Sequence, residues 1–372
     1  MEKLLEGQFT LGVEEEFQII DPETRELRSY ISKLIEDGRT VLRERVRPEM
    51  HQSMVEVGTG ICPTVAAVRE ELTEIRRELS QLAVKGGMRI AAASTHPFSD
   101  WKQQEITDNP RYHALIEEIQ DVARANLVFG LHVHVGIKDK EVAVALANQV
   151  RYFLPHLLAL TTSSPLWLGR STGIMSTRSQ IFKRFPRTGI PERFDSYSHY
   201  KDFVDLLIKT GCIDNGKKIW WDVRPHYLYD TVEIRICDIP TRLEHTISLV
   251  ALIQALMAKL YLLYRKNMQW RNYSHHLIEE NKFRAGRYGV RGRLIDFAAS
   301  QERPFADLLR ELVDLVQDTA EAFGTKEEVS GVFRILEEGT SANRQLEVFQ
   351  KSGGDPKAVV DFLVEETMRG IA

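Results

Sequence analysis

Cysteine is scarce. The three in 372 residues, Cys62, Cys212 and Cys237, form no C-x-x-C pair and lie far apart. This excludes a disulfide framework and a thiolate zinc site, and it points to a reducing compartment, so a cytoplasmic location is expected. A surplus of one charge is also lacking. Lys and Arg number 49 against 53 Asp and Glu, for a net charge of -4; a dedicated nucleic-acid binder would carry a basic excess, and no nucleic-acid partner is expected. The start, MEKLLEGQFT, has neither the basic opening nor the apolar run of a secretory signal. Missing too are G-x-x-x-x-G-K-[ST], a G-x-G-x-x-G after a strand, and H-E-x-x-H. One apolar run, Thr246 to Tyr264, approaches the roughly 20 residues of a membrane span, but Gln254 and Lys259 interrupt it. It reads as a buried core helix, with no membrane partner. What remains, 43% hydrophobic and 27% charged, is an ordinary globular composition.

Residue spacing predicts a strand over Phe9–Ile20 and a helix over Thr64–Lys85, capped by Thr64 and apolar at Val65, Val68, Leu72, Ile75, Leu79 and Leu82. Further strands are expected over Met88–Ala93, Leu127–Ile137, Ile219–Tyr227 and Val232–Cys237, and helices over Arg111–Arg124, Glu141–Leu160 and from Thr246 onward. Gly169–Phe194 reads as loop, and everything after Asn272 as helical, broken at Gly286–Gly292, Gly339 and Gly353–Gly354. With no flexible linker, residues 1–372 are expected to form one unit: a mixed core over about 1–272 and a helical part over about 273–372.

The informative feature is polar residues at strand spacing. In Leu11–Ile19, side chains alternate between faces, so Leu11, Val13, Phe17 and Ile19 share one face, and Glu14, Glu16 and Gln18 the other. Glu15 falls among the apolar residues and requires a buried partner. The strand through Gly130, His132, His134 and Gly136 repeats the pattern, with two imidazoles flanked by glycines. Val232–Cys237 does so again, with Glu233 and Arg235 opposite Val232, Ile234 and Ile236. Any one of these strands alone fits an ordinary solvated sheet face. Together, in one sheet, the carboxylates would repel unless cations lay among them. Oxygen-rich ligation with an imidazole suits Mg2+ or Mn2+, and Arg235 beside it suits a phosphate, which spells metal-dependent phosphoryl transfer.

The same segments, G-V-E-E-E-F, G-L-H-V-H-V-G and T-V-E-I-R-I-C-D, together with G-R-S-T-G, W-D-V-R-P and N-K-F-R-A-G-R-Y-G, resemble the carboxylate–amine ligase family known as glutamate–cysteine ligase type 2, in the glutamine synthetase-like superfamily. The likeness spans nearly the whole chain. It implies an α+β fold: a curved, mainly antiparallel sheet with a concave active-site face, helices behind it, and a helical C-terminal portion. It also implies ATP and Mg2+ (or Mn2+), small-molecule substrates that supply a carboxylate and an amine, and a homodimer. Carried over by position, one metal falls to Glu14, His132 and Glu233. A second falls to Glu16 with Glu49 and Glu56, which stand at opposite strand parity and need a bend between them. Arg235, Arg284 and Arg287 would serve the transferring phosphate as catalytic residues, and His134, Arg178 and Arg224 the substrates. No motif supplies a nucleophile, Cys237 included.

The function implied is an ATP-dependent carboxylate–amine ligase working through an acyl phosphate, with glutamate–cysteine ligation as its activity, strong or weak. Two rival readings are a guanidino-type phosphotransferase of the same superfamily and a non-catalytic protein that senses ATP or an amino acid. An intact ligand set argues against the second.

Overall fold

The computed structural model describes residues 5, 7–38 and 45–371. Residues 1–4 and 6, part of the stretch read for leader features, lie outside the described residues. Seven antiparallel strands make the main sheet: β1 (Leu11–Ile20), β2 (Val46–Pro48), β3 (Met54–Gly58), β4 (Arg89–Ala91), β5 (Leu131–Gly136), β6 (Val223–Pro225) and β7 (Thr231–Ile234). Their order is β6-β7-β5-β1-β3-β2, and β4 extends β1 at Gln18–Ile20. The sheet is antiparallel and not closed, with helices packed on it, which is the α+β class expected.

The back face of the sheet is apolar. Leu11, Val13, Phe17 and Ile19 of β1 join Leu131, Val133, Val135, Val232 and Ile234 there, all buried. Helices α1 (Val65–Lys85) and α2 (Leu243–Arg265) cover it. The Thr64 hydroxyl accepts the Ala67 N–H at 3.2 Å to start α1, and the periodic residues Val65, Val68, Leu72, Ile75, Leu79 and Leu82 are all buried. Helix α2 is long and apolar enough to cross a membrane, but here it is a core element, buried without interruption from His245 to Ala258. Its two polar interruptions have partners: Gln254 donates to the Phe9 carbonyl at 2.9 Å, and Lys259 pairs with Asp318 at 2.7 Å. One cluster of buried apolar side chains takes in both the sheet and the C-terminal helices.

Several expected elements are divided. The helix expected over Glu141–Leu160 breaks into Lys140–Val150 and Leu154–Thr161 around a tighter turn at Arg151–Phe153, because Pro155 has no N–H for the ladder. The helix expected over Arg111–Arg124 stops at Gln120, whose φ is 49°. The strand expected over Ile219–Tyr227 is interrupted at Asp222, where Trp220–Trp221 instead pairs with Thr188–Gly189. The region beyond Asn272 is not wholly helical, since Arg293–Asp296 and Gln301–Pro304 form a hairpin.

Candidate active site

Strand register decides which front-face side chains meet. Arg224, Glu233, His134 and Gly12 lie side by side on β6, β7, β5 and β1. In the next row His132 faces Glu14, with Gly58 beyond. In the third, Glu16 lies beside Glu56, with Arg47 beyond on β2. On the other flank of Glu16 the N–H of Gly130 donates to its carboxylate. A Cβ at Gly130 would sit 2.5 Å from Nη2 of Arg178, so only glycine leaves room for that guanidinium.

The two carboxylates placed at opposite parity, Glu49 and Glu56, do converge. β2 and β3 form an antiparallel hairpin, and Glu49 sits at its turn. The bend brings the Glu49 carboxyl to the same cavity as that of Glu56. Glu14, Glu16, Glu49, Glu56 and Glu233 therefore line one cavity of 330 Å³ together with His132, His134, Arg178, Arg224 and Arg235. Glu14, Arg47 and His134 also line an adjoining groove of 1910 Å³.

Among the described residues, the donor atoms that lie within 4.8 Å of one another belong to Glu14, His134 and Glu233, where the expected set had His132. His134 Nε2 is 3.7 Å from Glu14 and 4.0 Å from Glu233. His132, assigned to that set by position, contacts Glu14 alone of the two, at 3.3 Å. The reason is register: His134 stands directly opposite Glu233, and His132 two residues further along, on the side of Arg235. Both imidazoles thus serve Glu14, and His134 is the one that bridges to Glu233.

The electrostatics divide the carboxylates into two groups. Burial works against ionising Glu14, but hydrogen bonds and charge from His132 and His134 hold it well below the usual carboxylate range. Burial opposes ionisation of Glu233 too, and the Arg224 and Arg235 guanidiniums overcome it. In the other group burial prevails. Glu16 is pushed up to about 8 by burial and by the charge of Glu49. Glu56 is raised well above its ordinary value by burial and by Glu14, Glu49 and Glu16, while burial also raises Glu49. Burial and Arg235 push His132 down to about 4, leaving it neutral.

The arginines of the expected set have different surroundings. Arg224 donates to Glu233 at 2.7 Å and to the carbonyls of Lys217 and Ile219, so its guanidinium is bound within the protein. Arg178 donates to the carbonyls of Arg235 and Ile236 at 3.2 Å, and its buried Nε has no partner. Arg284 and Arg287 do not line the cavity. Helix α3 (His275–Tyr288) turns Asn281, Lys282, Ala285 and Gly286 inward. Arg284 pairs outward with Glu280 and Glu302, and Arg287 lies over the Tyr288 ring at 4.9 Å. The inward cation of that motif is Lys282, 2.6 Å from Asp222, whose carbonyl accepts the Arg235 N–H.

Sequence reading missed Arg47, which reaches Glu14 at 3.3 Å and Glu56 at 3.6 Å. It also missed His226, stacked on Tyr229 at 4.5 Å and 3.9 Å from Glu233. Position was the available signal: Arg47 sits one strand from Glu56, and His226 directly follows the W-D-V-R-P stretch.

A family model for glutamate–cysteine ligase family 2 matches residues 10–362. A protein of Sorangium cellulosum, named "Putative glutamate–cysteine ligase 2", is 63% identical over 373 residues, covering 100% of this chain and 99% of its own. One of the same name from Herpetosiphon aurantiacus is 52% identical, over 98% of this chain and 94% of its own. Among solved structures, a glutamate–cysteine ligase of Francisella tularensis in complex with AMP superposes with a TM-score of 0.69 at 13% identity, over 98% of this chain and 90% of that one. A bifunctional glutathione synthetase of Pasteurella multocida gives 0.68 at 15% identity, over 99% of this chain and 54% of that one. At such identities these two likenesses speak for the fold. The family match and the close relatives speak for the sequence itself: the chain belongs to glutamate–cysteine ligase family 2, and its class is that of ATP-dependent ligases forming carbon–nitrogen bonds.

Proposed function

We propose that the protein activates a carboxylate, the side-chain carboxylate of glutamate first among candidates, by transfer of the terminal phosphoryl group of ATP. An amine, that of cysteine first among candidates, then displaces phosphate from the acyl phosphate. The observation that carries this reading is the crowd of five carboxylates lining one cavity. Glu16, Glu49 and Glu56 are compensated so poorly by the protein that they resist ionising.

Such a donor set fits hard divalent cations, Mg2+ or Mn2+. Glu14, His134 and Glu233 would hold one, and Glu16, Glu49 and Glu56 another. Bound there, the cations would supply neutralisation of the phosphate oxygens. The chain's own side chains do the rest. Arg235, aligned by Glu233, faces the cavity as a fixed positive charge for the phosphate in flight. Arg178, with an N–H to spare, is placed to hold an anionic group of the substrate. Val128, Phe182, Phe185 and Trp220 line the same cavity and keep water from a hydrolysable intermediate. Among the described residues neither serine, threonine nor cysteine lines it, and the buried Cys237 thiol is pushed up to about 12, which supports direct transfer over a covalent enzyme intermediate.

Hydroxylamine tests the reading. Supplied with glutamate, ATP and Mg2+, it should capture the acyl phosphate as a hydroxamate, with ADP and phosphate formed in equal amounts. ADP with a phosphorylated guanidine and no free phosphate would mean a kinase. AMP and pyrophosphate would mean adenylation, and would overturn the reading.

A further inference from the structure

Glu15 is the middle carboxylate of the Glu14–Glu16 run, and strand alternation turns it to the back face, where it is 0% exposed. Arg76 of α1, also 0% exposed, grips it with a two-pronged fork: Nη2 is 2.5 Å from Oε1, and Nε is 2.9 Å from Oε2. The Thr246 hydroxyl of α2 donates to the same carboxylate at 3.0 Å. The rest of the guanidinium donates to main-chain carbonyls: Thr241 at 2.9 Å, Thr367 at 3.3 Å and Pro240 at 3.5 Å. The Phe17 ring lies 5.2 Å from it.

One side chain therefore ties together four segments. They are α1, the strand carrying Glu14 and Glu16, the segment that leaves β7 just after Glu233 and Arg235, and the end of the C-terminal helix Pro356–Thr367. A buried ion pair returns little net stability, since desolvating two charges costs about what their attraction gives back. What a bidentate fork adds is direction, because it fixes distance and orientation together. Direction is what the front face lacks, where Glu16, Glu49 and Glu56 repel one another.

We propose that Arg76 is a positioning residue for the carboxylate face. Its fork on Glu15 sets the placement of β1, and so the separation of Glu14 and Glu16 from His134 and Glu233 across the sheet. This rests on the reading of that face as a divalent-cation site.

The test is Mn2+ binding by the full-length protein without nucleotide, followed by the loss of the free-ion paramagnetic resonance signal, well below each variant's melting midpoint. Arg76→Lys keeps the charge but loses the fork. The pair Glu15→Leu with Arg76→Met removes both charges, keeps the bulk and leaves neither charge unpaired. Thr246→Val removes a single hydrogen bond. Val316→Ala, in the remote core of the helix Phe305–Ala322, is the control for lost stability alone.

Mn2+ affinity should fall about tenfold or more in Arg76→Lys and in the double variant, in the manner of groups that orient metal ligands, less in Thr246→Val, and not at all in Val316→Ala. If Arg76→Lys fails to fold, the double variant and Thr246→Val decide. Mn2+ affinity within twofold of wild type in every folded variant at Arg76, Glu15 or Thr246 would overturn the proposal while leaving the cation site standing. Failure of the wild-type protein itself to take up Mn2+ would overturn both.

Discussion

Consecutive carboxylates on β1 live in opposite worlds. Glu15, on the back of the sheet, is held by one guanidinium and one hydroxyl. Glu14 and Glu16, on the front, stand in a group of five carboxylates, and burial there is offset for Glu14 but not for Glu16. Both faces are dry. The difference is how completely the protein itself balances the charge. A balanced pair is a structural joint, whereas an unbalanced group stores a demand for cations, which is what a phosphate-handling site can use. A structural joint and a cation-seeking group thus stand back to back on one strand.

The largest expected effects would break this contrast directly. Glu16→Gln, or Glu233→Gln, should lower ATP turnover about a hundredfold or more while the protein stays folded, because each removes a charged donor and preserves shape. Glu15→Ala should act on stability as well as on cation affinity. It should cost about 3–5 kcal/mol of stability by leaving Arg76 buried without its partner. Kinetics and urea unfolding on the same preparations check both; Glu16→Gln that unfolds, with Glu15→Ala that melts normally, would erase the distinction between faces.

A second expectation concerns pH on the alkaline side. Glu16 has its pKa raised in the folded state from 4.5 to about 8. Its contribution to stability is therefore fully present below 4.5 and is lost as the pH rises through 8, with Glu49 and Glu56 adding in the same direction. Metal-free protein should lose melting temperature across this window. Saturating Mg2+ should flatten the slope and raise the midpoint, since cation replaces proton. An equal slope with chelator and with Mg2+ would contradict the cation site.

On the acid side the sign reverses, and buried imidazoles away from the cavity join those that line it. Burial pushes His96 and His245 down to about 3 and His156 to about 4, from 6.5. The unfolded chain takes up protons below 6.5 that these imidazoles refuse, so stability is present above 6.5 and is lost as the pH falls toward 4. The urea midpoint at saturating Mg2+ should drop through that window, and less steeply in His156→Gln.

The smallest effects sharpen the comparison by what they leave alone. Arg284→Ala should change turnover less than about threefold and cost no more than about 1 kcal/mol, because its partners Glu280 and Glu302 are partly exposed and the cavity lies elsewhere. Replacement of Cys62, Cys212 and Cys237 together by Ala should retain activity, with a loss of about 1–3 kcal/mol from the two buried sites. A tenfold loss of turnover in either folded variant would restore phosphate contact to Arg284, or a covalent step to sulfur.

Alternation along single strands was enough to read Glu14, Glu16, His132, His134, Glu233 and Arg235 as one polar face, and α1 and α2 as core helices, because the side-chain period of a strand or helix is local geometry. It was also enough to show that Glu15 needed a buried partner. Which partner was beyond it, since Arg76 lies 61 positions away and looks like one more charge on an amphipathic helix. The choice of His134 over His132 as the bridge to Glu233 depends on cross-strand register, a property of the pairing and of neither strand alone. The convergence of Glu49 with Glu56 needed the β2–β3 hairpin. The outward turn of Arg284 and Arg287, with Lys282 inward, was settled by which face of α3 found the core, because helical spacing groups residues on a side without saying toward what that side is turned. The sequence by itself determined which residues could share a face; the tertiary structure decided which faces meet, because register, hairpin closure and helix rotation are set by contacts between segments distant in the chain.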